Sequence, residues 1–305
     1  GATTWGGGTI TDSGLLLAQG GLILSGSANH VLSGGHVIEH SGTGGWTGSG
    51  GLGLLPGGGT LRLVSGVFDA QGTQSTFASG GGRLTLEVQA GATLRKSGGG
   101  TTSFSSGVNS FSNAGTVQVA SGANSGTLVL AGAGTSSGNV IVGVGQTIQL
   151  GPGFSNGTQT INGNVTGSGR FTAANNGSVL LNGIVNVGAT TVNSGTTLTV
   201  NSIGASLGTT GLFGTLQVVG TAAATSLSVL NGSTLGGVGT LTVSGATAWS
   251  GGTITDSGLL QSQGGLTLSG SSNKVLGVGR VIEHSGAGGW TGSGPLMLQS
   301  GGGTL

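Results

Sequence analysis

Residues 82–91 read Gly-Arg-Leu-Thr-Leu-Glu-Val-Gln-Ala-Gly. Leu84, Leu86 and Val88 alternate with Thr85 and Glu87, the period-two pattern of a strand with one face in a core and one in water. Glycine closes the run on both sides. The same grammar extends outward along the chain: GTITDSG at 8–14, GGLILSG at 20–26, GTLRLVSG at 59–66, GTVQVASG at 115–122, GTLVLAG at 126–132, GTTLTVNS at 195–202 and GTLTVSG at 239–245. Such runs recur roughly every 8 to 12 residues, a spacing that a sandwich, a barrel or a stacked β-architecture could share. No helical stripe competes. With 74 glycines in 305 residues, helix interiors would lose about 1 kcal/mol at every glycine they contain.

A longer period decides among the β-architectures. ATTWGGGTITDSG at 2–14 returns as ATAWSGGTITDSG at 246–258, and VIEHSGTGGWTGSG at 37–50 returns as VIEHSGAGGWTGSG at 281–294. Residues 1–61 align without a gap on 245–305, with 46 of 61 positions identical, so residues 1–244 form one full unit and 245–305 the start of the next. A chain that repeats one strand-and-turn grammar within a long repeat predicts a β-solenoid, a parallel β-helix in which each coil buries its apolar face only against its neighbours. Trp5 and Trp46, 41 residues apart, suggest two coils of about 20 residues. On that estimate a unit holds about twelve coils, and strands stacked at ~4.8 Å make a continuous, uncapped rod roughly 70 Å long. Because the chain starts without Met and without a charged, apolar leader, the expectation is a window on a longer tandem array whose secretion signal lies elsewhere.

Composition narrows the functions. Lys, Arg, Asp and Glu together make up 4% of the chain, against about a quarter in ordinary soluble domains, and the net charge is +1. That balance points to no nucleic-acid partner. Apolar runs are all broken well before the ~18 residues a membrane helix needs, so membrane insertion is not expected. Cysteine is absent, which removes disulfides, thiolate metal sites and cysteine nucleophiles. Glycine, Asn and Ser suit tight corners, where positive φ is common. Uncharged Thr and Ser suit outward positions, because like charges stacked coil on coil would repel.

The residues that could carry chemistry are few. Six of the thirteen charged residues gather between Arg62 and Lys96, where coil spacing could bring opposite signs together as a surface ion-pair patch. Glu39-His40 and its copy Glu283-His284 form the pair closest to a general base or metal ligand. Adjacent strand residues point to opposite faces, however, so the two side chains of each pair should diverge. His30 is replaced by Lys274 and His36 by Arg280 in the second copy, which keeps a cation but not an imidazole. Gly134–Gly138 fits a nucleophile elbow and Gly48, Gly50 and Gly53 fit a dinucleotide fingerprint, but neither has the helix its mechanism requires. Asn156, Asn164, Asn176 and Asn231 begin glycosylation sequons, as a chain this rich in Asn, Ser and Thr produces by composition. Thr-x-Thr pairs such as Thr158/Thr160 and Thr197/Thr199 suggest flat hydroxyl ladders, though at irregular spacing. Trp5, Trp46, Trp249 and Trp290 are the candidate interaction surface: exposed, they could stack on sugar rings or on a neighbouring rod; buried, they would fill wide coils.

GATLRKSGGGTTSF at 91–104, FSNAGTVQVASG at 111–122 followed by GTLVLAG, and STLGGVGTLTVSG at 233–245 with WSGGTITDSG at 249–258 resemble the repeats of very large secreted bacterial surface proteins. These are the filamentous-haemagglutinin-like adhesins and autotransporter passengers. The resemblance implies a right-handed parallel β-solenoid, export to the cell surface or beyond, and a part in fibres or adhesion; it brings no catalytic residues. The 244-residue super-repeat departs from typical passengers and favours a long uniform filament. The expected function is therefore a non-catalytic building block of an extracellular fibre or sheath, without cofactor or metal, associating with further copies end to end and side by side. The alternative is an adhesin that binds glycans or a cell surface through its tryptophans.

Overall fold

The computed structural model describes residues 1–122, 124–153 and 157–305. These residues form strands and turns with no helix, wound into a β-solenoid of about 13 turns with about 22 residues in each. Each turn runs along three sides. Side one begins with Thr3–Trp5, side two with Gly8–Ile10 and side three with Leu15–Ala18. Side three is a sheet of 14 parallel strands, and sides one and two join in a second sheet of 26. The joining strands are Val165–Ala173 and Val185–Val192, which pass round the corner between those two sides without a break.

The alternation read from residues 82–91 sets what faces the axis. On side three Ile38, Leu61, Leu86 and Phe111 stack one above another, all buried. Their neighbours Glu39, Arg62, Glu87 and Ser112 stack in register on the outside. On side one the inward column runs Leu24, Trp46, Ala70, Lys96, Val119. The small Ala70 above Trp46 leaves room for the indole in a close-packed interior. One such ladder per side forms a single continuous core.

The coils are about two residues longer than the sequence suggested, and their length varies. Lys96 stacks on Ala70, 26 residues earlier, whereas Leu227 stacks on Thr210, only 17 earlier. Strands and corners both vary: Ala92–Lys96 has five residues and Ala205–Ser206 two, and extra corner residues cost little loop entropy. At ~4.8 Å per turn the rod is about 62 Å long, shorter than the 70 Å expected.

Corner geometry explains the fixed glycines. Gly21 enters side one with φ at 105°, and a Cβ there would collide with the carbonyl oxygen of Thr43 on the next turn. Its copy Gly265 has φ at 106° and the same relation to the carbonyl of Ala287. Asp12 and its copy Asp256 both take φ of 67°, a left-handed conformation that Asp tolerates.

The two copies nevertheless do not occupy the same sides. Thr3–Trp5 lies on side one, and its copy Thr247–Trp249 on side two. Gly8–Ile10 lies on side two and Gly252–Ile254 on side three. Leu15–Ala18 lies on side three and Leu259–Ser262 on side one. Counting pairings upward from Thr3–Trp5, the eleventh strand on its side is Thr240–Val243, and the copy begins one side later. The unit of 244 residues is therefore eleven turns and one third, not the twelve expected from 20-residue coils.

Candidate functional site

Stacking concentrates the charged residues into two short outward ladders. On side three Arg62 lies between Glu39 below and Glu87 above, its Nη1 donating to Glu39 Oε1 at 2.7 Å and its Nε to Glu87 Oε2 at 2.6 Å. The two carboxylates hold the guanidinium charged, raising its pKa further above its already high ordinary value, with the Glu87 hydrogen bond the larger cause. On side one Arg95 Nη2 donates to Asp69 Oδ2 at 2.9 Å, and Ser97 Oγ donates to the same oxygen at 2.8 Å. In the first ladder Arg62 is paired on both sides, whereas in the second Asp69 Oδ1 and Arg95 Nε are buried without a hydrogen-bond partner. Of the six charges clustered between Arg62 and Lys96, Arg62, Asp69, Glu87 and Arg95 thus form ion pairs, but in two ladders on different sides and not in one patch.

Lys96 is adjacent to Arg95 but points the other way, into the rod, where it is fully buried. Its Nζ donates to the carbonyls of Gly72, Gly98 and Gly99 at 2.9, 2.7 and 2.9 Å. Burial lowers its pKa, and the nearby Asp69 charge opposes that shift. The inward cations of the second copy use the same chemistry. Lys274 donates to the Ser272 carbonyl at 3.1 Å, and Arg280 donates to the Gly237 carbonyl at 3.0 Å. Burial pushes the Arg280 pKa down to about 10, which leaves it charged at neutral pH. Where the first copy has His30, the imidazole is also buried, with Nε2 2.8 Å from the Trp5 carbonyl and 3.0 Å from that of Ser25. The exchange of His30 for Lys274 thus preserves an inward donor to turn carbonyls. His36, replaced by Arg280, is only half-buried and places Nδ1 3.3 Å from the Asp12 carbonyl.

Glu39 and His40 diverge as strand geometry requires. Glu39 faces out to Arg62; His40 is buried, its Nδ1 accepting the Leu22 N–H at 2.9 Å and its Nε2 donating to the Val67 carbonyl at 3.2 Å. The Phe68 ring meets it edge-on at 5.4 Å. Both ring nitrogens are occupied by backbone, so the imidazole acts as a strut between three turns. In the second copy Glu283 and His284 are exposed, and Gln261 Nε2 donates to Glu283 at 3.0 Å. His284 borders an open groove with Leu266, Leu268 and Leu305 at the end of the rod.

The four tryptophans do not share a surface. Trp46 and Trp249 are fully buried, Trp5 is half-buried with its Nε1 donating to the Gly7 carbonyl at 3.1 Å, and Trp290 is 53% exposed. Trp46 donates to the Gly50 carbonyl at 2.9 Å and meets Phe104 edge-on at 5.6 Å. Of the remaining motifs, Ser136 in the elbow-like run is buried and accepts from Gln159 Nε2 at 3.0 Å. Gly53 lies within the strand Leu52–Leu54. Asn164 accepts the Ile184 N–H with its side chain at 3.2 Å, and Asn156 falls outside the described residues. The Thr-x-Thr pairs do not stack as paired ladders, because Thr160 and Thr199 both stack on Leu180; a single hydroxyl column forms on side three, where Thr158, Ser178, Thr197, Thr215, Thr234 and Thr253 lie in register. Its spacing looks irregular in the sequence because successive turns differ in length.

Among the described residues no three His, Cys, Asp or Glu side chains gather as a metal ion would require, and no helix is long and apolar enough to cross a membrane. Comparison of the chain with protein-family models, with curated proteins and with solved structures finds no match in any of the three.

Proposed function

We propose that the chain is a non-catalytic structural segment of an extracellular bacterial fibre or sheath, built from tandem β-solenoid units. The observation that carries this reading is the junction between the copies. Val229, Trp249 and Leu268 stack in register across residues 244–246, so one unit passes into the next with every side still paired. A repeat that continues the ladder of the one before adds length without a new core, which suits a filament. The ion ladders support the same reading, because each of their charged groups is paired with an opposite charge within the rod. The resemblance to secreted surface repeats supports export from a bacterium. A glycan-binding role would have Trp290 as the one largely exposed ring of the four.

Electron microscopy of the native assembly tests the proposal. Eleven and one third turns at ~4.8 Å give an axial rise of about 54 Å per unit with a rotation of one third of a turn, so three units, about 163 Å, restore the view. Discrete globular particles would overturn it.

A further inference from the structure

We infer that the edge of the rod between side three and side one is a lateral contact for a second copy of this chain. The other two edges carry isolated exposed apolar residues such as Val144 and Phe213, but along this edge successive turns project aliphatic side chains. Ile184, Ile203, Val219, Val238 and Val278 are 64, 87, 46, 64 and 52% exposed. Each follows a side-three strand and precedes a side-one strand: Ile184 between Leu181 and Val185, Ile203 between Val200 and Ala205, Val219 between Val218 and Thr221, Val238 between Gly236 and Thr240, and Val278 between Leu276 and Val281. They therefore lie on one edge at successive turns, with a gap at the turn of Asp256, whose carboxylate is drawn back to accept the Gly237 N–H at 2.7 Å.

Three features select a second copy as the occupant. First, no Asp, Glu, Lys, Arg or His occurs between Arg170 and Asp256, so this part of the rod offers a charged partner nothing to pair with and does not repel its own copy. Second, the side chains are spaced one turn apart, ~4.8 Å, and a partner that presents apolar groups at that interval is another stack of the same strands. Two such edges laid antiparallel set each Ile or Val into the gap between two on the other rod, the self-complementary arrangement of a two-fold contact. Third, the aliphatic surface is roughly 500 Å², at the upper end of what monomers leave exposed and short of the ~800 Å² per partner in a stable complex. A single chain therefore pairs weakly, and rods made of many units pair firmly because each unit adds its own contact. Only this last step rests on the fibre reading.

The chain has no cysteine, so one introduced thiol reports a unique position. Val238→Cys should form a symmetric disulfide dimer on mild oxidation at least tenfold faster than Val144→Cys, which is 63% exposed in the wild type but on the edge between sides one and two. In sedimentation equilibrium the wild type should rise in weight-average mass from 28.7 kDa toward twice that value with concentration. Ile203→Asp with Val238→Asp should abolish the rise, and Val144→Asp with Phe213→Asp should leave it, the far-UV circular dichroism of all being alike. Equal cross-linking of the two thiols, or a wild type that stays monomeric throughout, overturns the lateral contact. Rods seen by microscopy that lack side-by-side pairing overturn it too and leave the fibre reading standing.

Discussion

The repeat places one tryptophan in two environments, which permits a matched experiment. Trp46 and Trp290 share nearly the same flanking sequence, yet Trp46 is fully buried and Trp290 is 53% exposed. An indole contributes about 200 Å² of buried surface, so roughly 100 Å² more apolar area is out of water at Trp46, about 2.5 kcal/mol at ~25 cal per Å². Trp46→Ala also loses the hydrogen bond to the Gly50 carbonyl and the edge contact with Phe104. These raise the expected gap between Trp46→Ala and Trp290→Ala to about 3 to 4 kcal/mol. Because each turn touches only its neighbours, the damage should stay local. Hydrogen exchange read by mass spectrometry should therefore accelerate on the order of a hundredfold around Leu22–Leu24, Gly66–Ala70 and Ala92–Lys96 in Trp46→Ala, while strands from Val165 to Val243 keep their protection. Trp290→Ala should change exchange about tenfold or less, close to Leu266–Leu298. Equal effects of the two substitutions would show that burial of these rings does not follow the stack described above.

The corner glycines give a second pair: Gly21→Ala and Gly265→Ala should each cost about 2 kcal/mol or more in urea unfolding, since both need φ near 105° and both would meet a carbonyl; a cost below ~0.5 kcal/mol in either would contradict the corner geometry. Arg62→Ala should destabilise by only about 1 kcal/mol and less in high salt, because the ladder is partly exposed. Arg95→Ala should cost more, about 2 kcal/mol, because it strips a partner from the nearly buried Asp69. His40 is held below its ordinary value of 6.5 chiefly by burial, with backbone hydrogen bonds opposing. The unfolded chain thus takes up the proton first as pH falls, so the stability from neutral His40 is complete above 6.5 and declines below it toward the lowered folded value. Urea midpoints measured from about pH 7.5 to 5 should fall more steeply for the wild type than for His40→Gln, and parallel slopes would sink this assignment.

Much of the fold was legible because solenoid strands are local objects. The alternation over Leu84–Val88 is the inward and outward pattern observed, and the divergence of Glu39 from His40 follows from the same period of two. The candidate surface was less legible. Trp46 is buried because Leu24 and Ala70 flank it in the column and Phe104 meets its ring from the neighbouring side, residues 22 to 58 positions away in the chain. The aliphatic edge is illegible for a related reason: Ile203, Val219 and Val238 each precede a glycine and Ile184 follows one, a context that in a chain with 74 glycines marks no particular corner until the turns are stacked.

The amino-acid sequence by itself determined the strands, the glycine corners, the 244-residue repeat and even the backbone of individual turns. Asp12 and Asp256 share one φ, as do Gly21 and Gly265 to within a degree, because a corner's conformation depends on the few residues that make it. It did not determine which side of the rod those residues face. That is set by how many sides the chain has passed, and strands and corners that add or drop residues let a turn close anywhere from 17 to 28 residues with its ladders intact. Identical segments therefore come to rest one side apart, a phase that accumulates over eleven turns and exists only in the stacked structure.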